Sequence, residues 1–126
     1  MINLITTLDR KDITKMLLGY KFALEEMNTK ISILLEEFRI IHEYNPIEHV
    51  STRIKSPKSI MRKIEHLNLA WAIPEIEDKI RDIAGVRIVC SFEEDIYRVA
   101  ELLTKQRDIK VIEVKDYIKE PKRNGY

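Results

Sequence analysis

The sequence predicts an α/β (α+β) fold, a long helical segment followed by a region in which helices and strands are mixed. Three observations predict it. A heptad stripe runs through the first third of the chain, a nearly continuous apolar run covers residues 85–92, and an amphipathic stretch follows directly behind that run.

The helical segment comes first. Apolar residues recur at Ile13, Leu17, Tyr20, Leu24, Met27, Ile31, Leu34, Phe38 and Ile41. The steps alternate four and three, which keeps them on one helix face. Asp9 or Asp12 is suited to cap the start. Gly19 and the Asn28-Thr29 pair weaken the middle, so one long helix or two joined helices both fit. Asn45-Pro46 ends the run, because a residue before proline avoids helical angles. Residues 50–55, Val-Ser-Thr-Arg-Ile-Lys, read as a short extended segment. Ser56-Pro57 then opens a helix to about Leu69, with serine as N-cap and proline at the first helical position. Pro74 begins a short helical piece that ends near Asp82.

The run at 85–92, Gly-Val-Arg-Ile-Val-Cys-Ser-Phe, predicts a strand covered on both faces. Residues 93–106 form an amphipathic helix with Ile96, Val99, Ala100 and Leu103 on one side. Residues 109–114 predict a second strand, so that strand, helix and strand make a crossover unit. Residues 116–126 read as loop. The expected organisation is a helical segment over 1–45 and a second unit over 46–126.

Composition narrows the function classes. A chain of 126 residues suits one domain, and 44% hydrophobic with 34% charged residues is an ordinary globular balance. A net charge of +1 excludes a general polyanion binder, so any basic site must be local. One cysteine, Cys90, permits no disulfide framework within the chain and fits a reducing cytosol. The apolar runs are too short to cross a bilayer, and the N-terminus lacks the pattern of a signal peptide. A cytoplasmic soluble protein is expected, with no membrane partner. No Walker A loop, G-x-G-x-x-G, H-E-x-x-H or paired C-x-x-C occurs.

Three clusters carry candidate chemistry. Arg53, Lys55, Lys58, Arg62 and Lys63 give five basic residues and no acidic one between Thr52 and Ile64. Arg53 and Lys55 lie two apart on an extended segment and point the same way. The helix behind them starts with free backbone N–H groups that favour an anion, with Ser59 in the first turn and Lys63 four residues on. That set suits a triphosphate; a solvated basic helix face is the plainer reading. Asp82 and Arg87 flank the entry to the apolar strand. A carboxylate there suits Mg²⁺, which shares its coordination with phosphate and water, and Arg87 suits phosphate charge. A simple Asp–Arg ion pair is the alternative. Lys115, Lys122, Asn124 and Tyr126 lie in the tail, where tyrosine offers an aromatic face to a base and Lys and Asn offer polar contacts. A polar turn is the alternative.

These stretches resemble the synthetase domain of RelA/SpoT proteins, and most of all the stand-alone small alarmone synthetases. The resemblance rests on Tyr44-Asn45-Pro46-Ile47-Glu48-His49-Val50, Arg53-Ile54-Lys55 with Ser59-Ile60 and Lys63, Asp82-Ile83-Ala84-Gly85-Val86-Arg87, and Asp116-Tyr117-Ile118 with Pro121-Lys122 and Asn124-Gly125-Tyr126. It implies a nucleotidyltransferase-like mixed sheet with flanking helices. It also implies transfer of pyrophosphate from ATP to the 3′-hydroxyl of GDP or GTP in the stringent response. Arg53, Lys55 and Arg87 match catalytic positions. Arg53, Lys55, Ser59, Lys63 and Arg87 match the ATP side, and Asp82 matches the Mg²⁺ ligand. Lys115, Lys122 and Asn124 match contacts to the GDP or GTP, and Tyr126 matches the tyrosine that stacks on guanine.

Family members continue past Asn-Gly-Tyr with a Ser-x-His stretch and a strand bearing a metal-binding glutamate. This sequence stops at Tyr126, so an incomplete domain with little turnover of its own is expected. The family's homotetramer is left open for it. Two other readings stand beside this one. One is a nucleotide-binding or assembly module without turnover. The other is a helical assembly protein whose basic segment meets RNA; DNA is not an expected partner.

Overall fold

The structure, a computed structural model, describes residues 10–125. The heptad stripe forms one helix, α1 (Arg10–His42), not two. At 33 residues it is about 50 Å long. Ile13, Leu17, Ile31, Leu34 and Phe38 are buried along it, with Tyr20, Leu24 and Met27 half-buried between them. Ile41 departs from the stripe and is exposed. Asp12 lies inside the first turn and is not the cap; Asp9 lies outside the described residues. Leu18, Phe22, Ile33 and Ile40 are also exposed. At about 100° per residue these four share one side of α1, opposite the buried stripe.

A compact joint follows α1. Glu43 takes a left-handed backbone with φ 52. The Asn45 side-chain oxygen accepts from the Ile47 amide at 3.1 Å, Pro46 is fully buried, and Ile47 enters the core. The Tyr44 hydroxyl donates to the buried carboxylate of Asp95.

Strand β1 (Ile47–Ile54) and strand β2 (Ala84–Cys90) form a two-stranded antiparallel sheet among the described residues. The register pairs Ser51 with Arg87, Thr52 with Val86, Arg53 with Gly85 and Ile54 with Ala84, and it shifts once between Ile47 and His49. Helices α2 (Pro57–Leu67) and α3 (Ile73–Lys79) lie between the strands in sequence, and α4 (Glu93–Thr104) follows β2.

Two apolar clusters hold these elements. Ile13 and Leu17 of α1 meet Ile60 and Ile64 of α2, Ile76 of α3, and Ile80 and Ile83 beyond it. Ile31 of α1 meets Ile47 and Val99, with Val50, Val86, Ile88 and Leu103 packed around them. One helix therefore supports both halves of the core. The short helix ends at Lys79, before Asp82, because Ile80 and Ile83 turn into the first cluster.

The strand at 85–92 departs from expectation in two ways. It spans Ala84–Cys90, and Phe92 instead precedes α4 as its N-cap residue. It is also covered on one face: Val86 and Ile88 pack inward, while Gly85 and Arg87 are exposed. Residues 109–114 are not a strand, so the crossover unit does not form. Val111, Ile112 and Val114 are exposed at 45, 75 and 76%, and no described strand pairs with them. β-branched composition without a ladder partner does not make a strand.

Candidate functional site

The sheet end nearest α2 carries most of the predicted chemistry. Ser56 caps α2: its hydroxyl oxygen accepts from the Ser59 amide at 3.1 Å, and its own proton goes to Ser59 Oγ at 3.0 Å. The Ile60 amide is bonded to the Ser56 carbonyl at 3.0 Å. The helix start is therefore less open to an anion than its sequence predicts. The Ser59 amide already has a partner, the Ile60 amide makes the first regular helix bond, and Pro57 has no N–H to give.

Lys55 leaves β1 just after its last ladder residue. Its amide donates to the Ile83 carbonyl at 2.8 Å, which continues the strand pairing by one bond. Ile83 is buried in the first cluster, so this bond fixes Lys55 and Asp82 relative to each other. Lys55 Nζ reaches Asp82 Oδ2 at 3.1 Å, and Lys63 Nζ, from the second turn of α2, reaches Asp82 Oδ1 at 3.3 Å. Each carboxylate oxygen thus holds one ammonium group. The hydrogen bond from Lys55, reinforced by Lys63, keeps the Asp82 carboxyl below the usual carboxylate range, against the opposing pull of partial burial. The alternative Asp–Arg pair does not form at Asp82; Arg81 pairs with Asp78 at 3.4 Å.

Arg53 and Arg87 lie on the open face of the sheet. Facing residues of an antiparallel pair point the same way, so Ser51, Arg53, Gly85 and Arg87 share that face. Both arginines are exposed. A shallow cavity of about 380 Å³ is lined by Ser51, Thr52, Arg53, Gly85, Val86 and Arg87. Nothing lies within 4 Å of where a Cβ on Gly85 would sit.

The arrangement suits a phosphate chain carried by a hard cation. Asp82 could offer one carboxylate to a cation, with 47% of its side chain exposed, and the two ammonium groups on it are of a kind that also binds phosphate. No group of three or more metal-ligating side chains forms among the described residues. Mg²⁺ fits this donor set, since it binds through one or two carboxylates and completes its shell with phosphate and water.

The tail is built differently. Lys115 lies 3.9 Å from Glu113 with its side chain 61% exposed. Lys122 Nζ sits 4.6 Å from the centre of the Tyr117 ring. The Gly125 amide closes a turn onto the Lys122 carbonyl at 2.9 Å, with Asn124 inside it and Gly125 at φ +82. Tyr126 lies outside the described residues.

Several contacts have no sequence signal. Tyr44–Asp95 and Ser91–Glu48 join residues 51 and 43 positions apart. Tyr97 donates to the Asp116 carboxylate at 2.8 Å, bonding across 19 positions. At the joint, the family-like Tyr44-Asn45-Pro46 stretch is the sequence signal, and it does not reveal the Asp95 partner.

Comparison with known proteins follows the same outline. The region found in RelA / SpoT proteins matches residues 52–126. The GTP pyrophosphokinase YwaC of Bacillus subtilis (strain 168) is 48% identical over 110 residues, covering 87% of this chain and 52% of the relative. The GTP pyrophosphokinase YjbM of the same organism is 35% identical over 119 residues, covering 94% and 55%. The chain spans about half the length of these curated relatives. Among solved structures, the small alarmone synthetase 2 from Bacillus subtilis aligns with a TM-score of 0.75 at 44% identity, covering 91% of this chain and 57% of the other. The small alarmone synthetase 1 from the same organism, bound to its product pppGpp, aligns with a TM-score of 0.77 at 35% identity, covering 92% and 59%.

Proposed function

We propose a function from one premise: this chain belongs to the RelA/SpoT family, whose characteristic region it carries over residues 52–126. The activity proposed is that of a (p)ppGpp synthetase, transfer of pyrophosphate from ATP to the 3′-hydroxyl of GDP or GTP. Relatives named GTP pyrophosphokinase and a neighbouring structure bound to pppGpp support that substrate class.

The convergence of Lys55 and Lys63 on Asp82 carries the reading. Lys55, Lys63, Arg53 and Arg87 take the phosphates of ATP, and Ser59 lies in the helix turn beside them. Asp82 holds Mg²⁺, which when bound supplies neutralisation of phosphate charge. Lys115, Lys122, Asn124 and Tyr126 receive the acceptor. Its 3′-oxygen attacks the β-phosphorus in line, and AMP leaves. Positioning and charge neutralisation supply most of the rate in such transfers. No helix among the described residues is long and apolar enough to cross a membrane. A place in the cytoplasm is part of the same family reading.

Incubation with ATP, GDP and Mg²⁺, with the nucleotides resolved, tests turnover. Calorimetry with Mg–ATP, comparing the wild type with Arg53→Ala, tests binding. A chain that binds no nucleotide but binds RNA with a steep salt dependence would replace this reading with the helical assembly one. Binding without turnover would favour the module reading.

A further inference from the structure

We infer that Tyr97 of α4 is a positioning residue for the acceptor nucleotide, acting through the carboxylate of Asp116. The inference deepens the synthetase reading and rests on it. Asp116 has two tasks in the tail. Within the tail, its Oδ1 accepts from the Ile118 amide at 3.1 Å and the Lys119 amide at 3.0 Å, and its carbonyl accepts from the Glu120 amide at 3.0 Å. That is an Asx-type turn built on one carboxylate. Toward the body of the protein, the same carboxylate accepts the Tyr97 hydroxyl, 2.8 Å from Oδ2 and 3.1 Å from Oδ1.

The turn leads straight to the residues assigned to the acceptor. Tyr117 is next in sequence and carries Lys122 over its ring. Lys122 in turn closes the bend that contains Asn124. Upstream, Val111, Ile112 and Val114 are exposed and have no strand partner among the described residues, so the segment gains no placement from a ladder. The Tyr97 ring is itself 46% exposed and contributes little to the core. What it adds is a hydroxyl that ties the turn to a helix packed on the sheet. The direction of both titrations agrees: Asp116 is held below the usual range, first by the Lys119 amide, and Tyr97 is pushed up by its bond to Asp116. The proton stays on the tyrosine through neutral pH.

The test is calorimetry of the 126-residue chain with GDP and, separately, with a non-hydrolysable ATP analogue and Mg²⁺. Tyr97→Phe is expected to weaken GDP by about three- to tenfold, the effect of one lost hydrogen bond. The ATP analogue and the melting temperature should not change. In an Asp116→Asn background, Tyr97→Phe should add little further loss, because the two side chains act as one unit. Equal GDP affinity in Tyr97→Phe, equal losses for both nucleotides, or full additivity with Asp116→Asn each overturns the inference while leaving the synthetase reading intact. A wild-type chain that binds neither nucleotide overturns both.

Discussion

Asp82 and Asp116 are both held below the usual carboxylate range, but by opposite means. Asp82 is held by charge: two lysine ammonium groups, one on each oxygen. Asp116 is held mainly by dipoles, two backbone amides and a tyrosine hydroxyl, with the Lys119 charge as a lesser help. The surroundings differ in the same way. Lys55 and Asp82 are fixed by the end of a strand ladder and a buried isoleucine cluster, and Lys63 by a capped helix. The Asp116 segment has no regular structure. A carboxylate held by cations can exchange them for a metal and give the cations to phosphate. One held by dipoles is committed to shaping the backbone. The difference separates a site for charge from an anchor for a loop.

The largest effect should come from beneath the charged site. Ile64 is 1% exposed and belongs to the cluster under α2. Ile64→Ala is expected to lower unfolding stability by about 2–5 kcal/mol in chemical denaturation. A loss below about 1 kcal/mol would show that the cluster does not anchor this end.

Next comes Lys55→Ala. It removes one of the two ammonium groups proposed to take phosphate, and Mg–ATP affinity should fall by about 1.5–3 kcal/mol in calorimetry, the range for bonds to charged groups. The tail should be untouched, which amide chemical shifts at Ile118 and Lys119 would show. Shifts there as large as those around Asp82 would erase the separation of the two regions.

A smaller effect is expected of Ser56→Ala, which leaves the Ser59 amide and hydroxyl without their cap partner. About 1 kcal/mol of stability should be lost, read from the denaturation midpoint.

The smallest effect is the sharpest test of the comparison. Asp82 has a lowered folded value, so its contribution to stability is complete above the ordinary value of 3.8 and is lost as pH falls through the folded value. Salt near 1 M shortens the screening length to about 3 Å and weakens the lysine attraction. The Asp82 titration should then move up toward its ordinary value, while Asp116, held mainly by neutral donors, moves less. Carboxyl carbon NMR titrations at low and high salt would check this. Equal movement of the two would break the comparison.

Much of this architecture is legible in the sequence, because it comes from periodicity and punctuation. The four-three spacing from Ile13 to Phe38 marks both α1 and its buried face. Ser56-Pro57 marks the start of α2 within a residue. The strand partner of β2 is harder to see. Five of the eight residues of β1 are polar, Glu48, His49, Ser51, Thr52 and Arg53, and Ser51 and Arg53 lie on the open face of the sheet. Residues 109–114 look more like a strand and are not one, because strand formation depends on a partner that composition does not reveal. At the site, the basic cluster and Asp82 are visible as separate motifs. That two lysines divide the oxygens of one carboxylate between them depends on where Ile83 anchors the chain, which only the fold specifies. The exposed line of Leu18, Phe22, Ile33 and Ile40 on α1 is hidden behind the stronger buried periodicity.

Gly85 faces Arg53 across the ladder and offers no side chain to the open face. A methyl group there would touch nothing within 4 Å, so the vacancy is not demanded by packing in the protein itself. Gly85→Ala should therefore fold as well as the wild type in thermal melts. Any fall in its nucleotide affinity would measure the clearance that an incoming molecule needs between the two arginines.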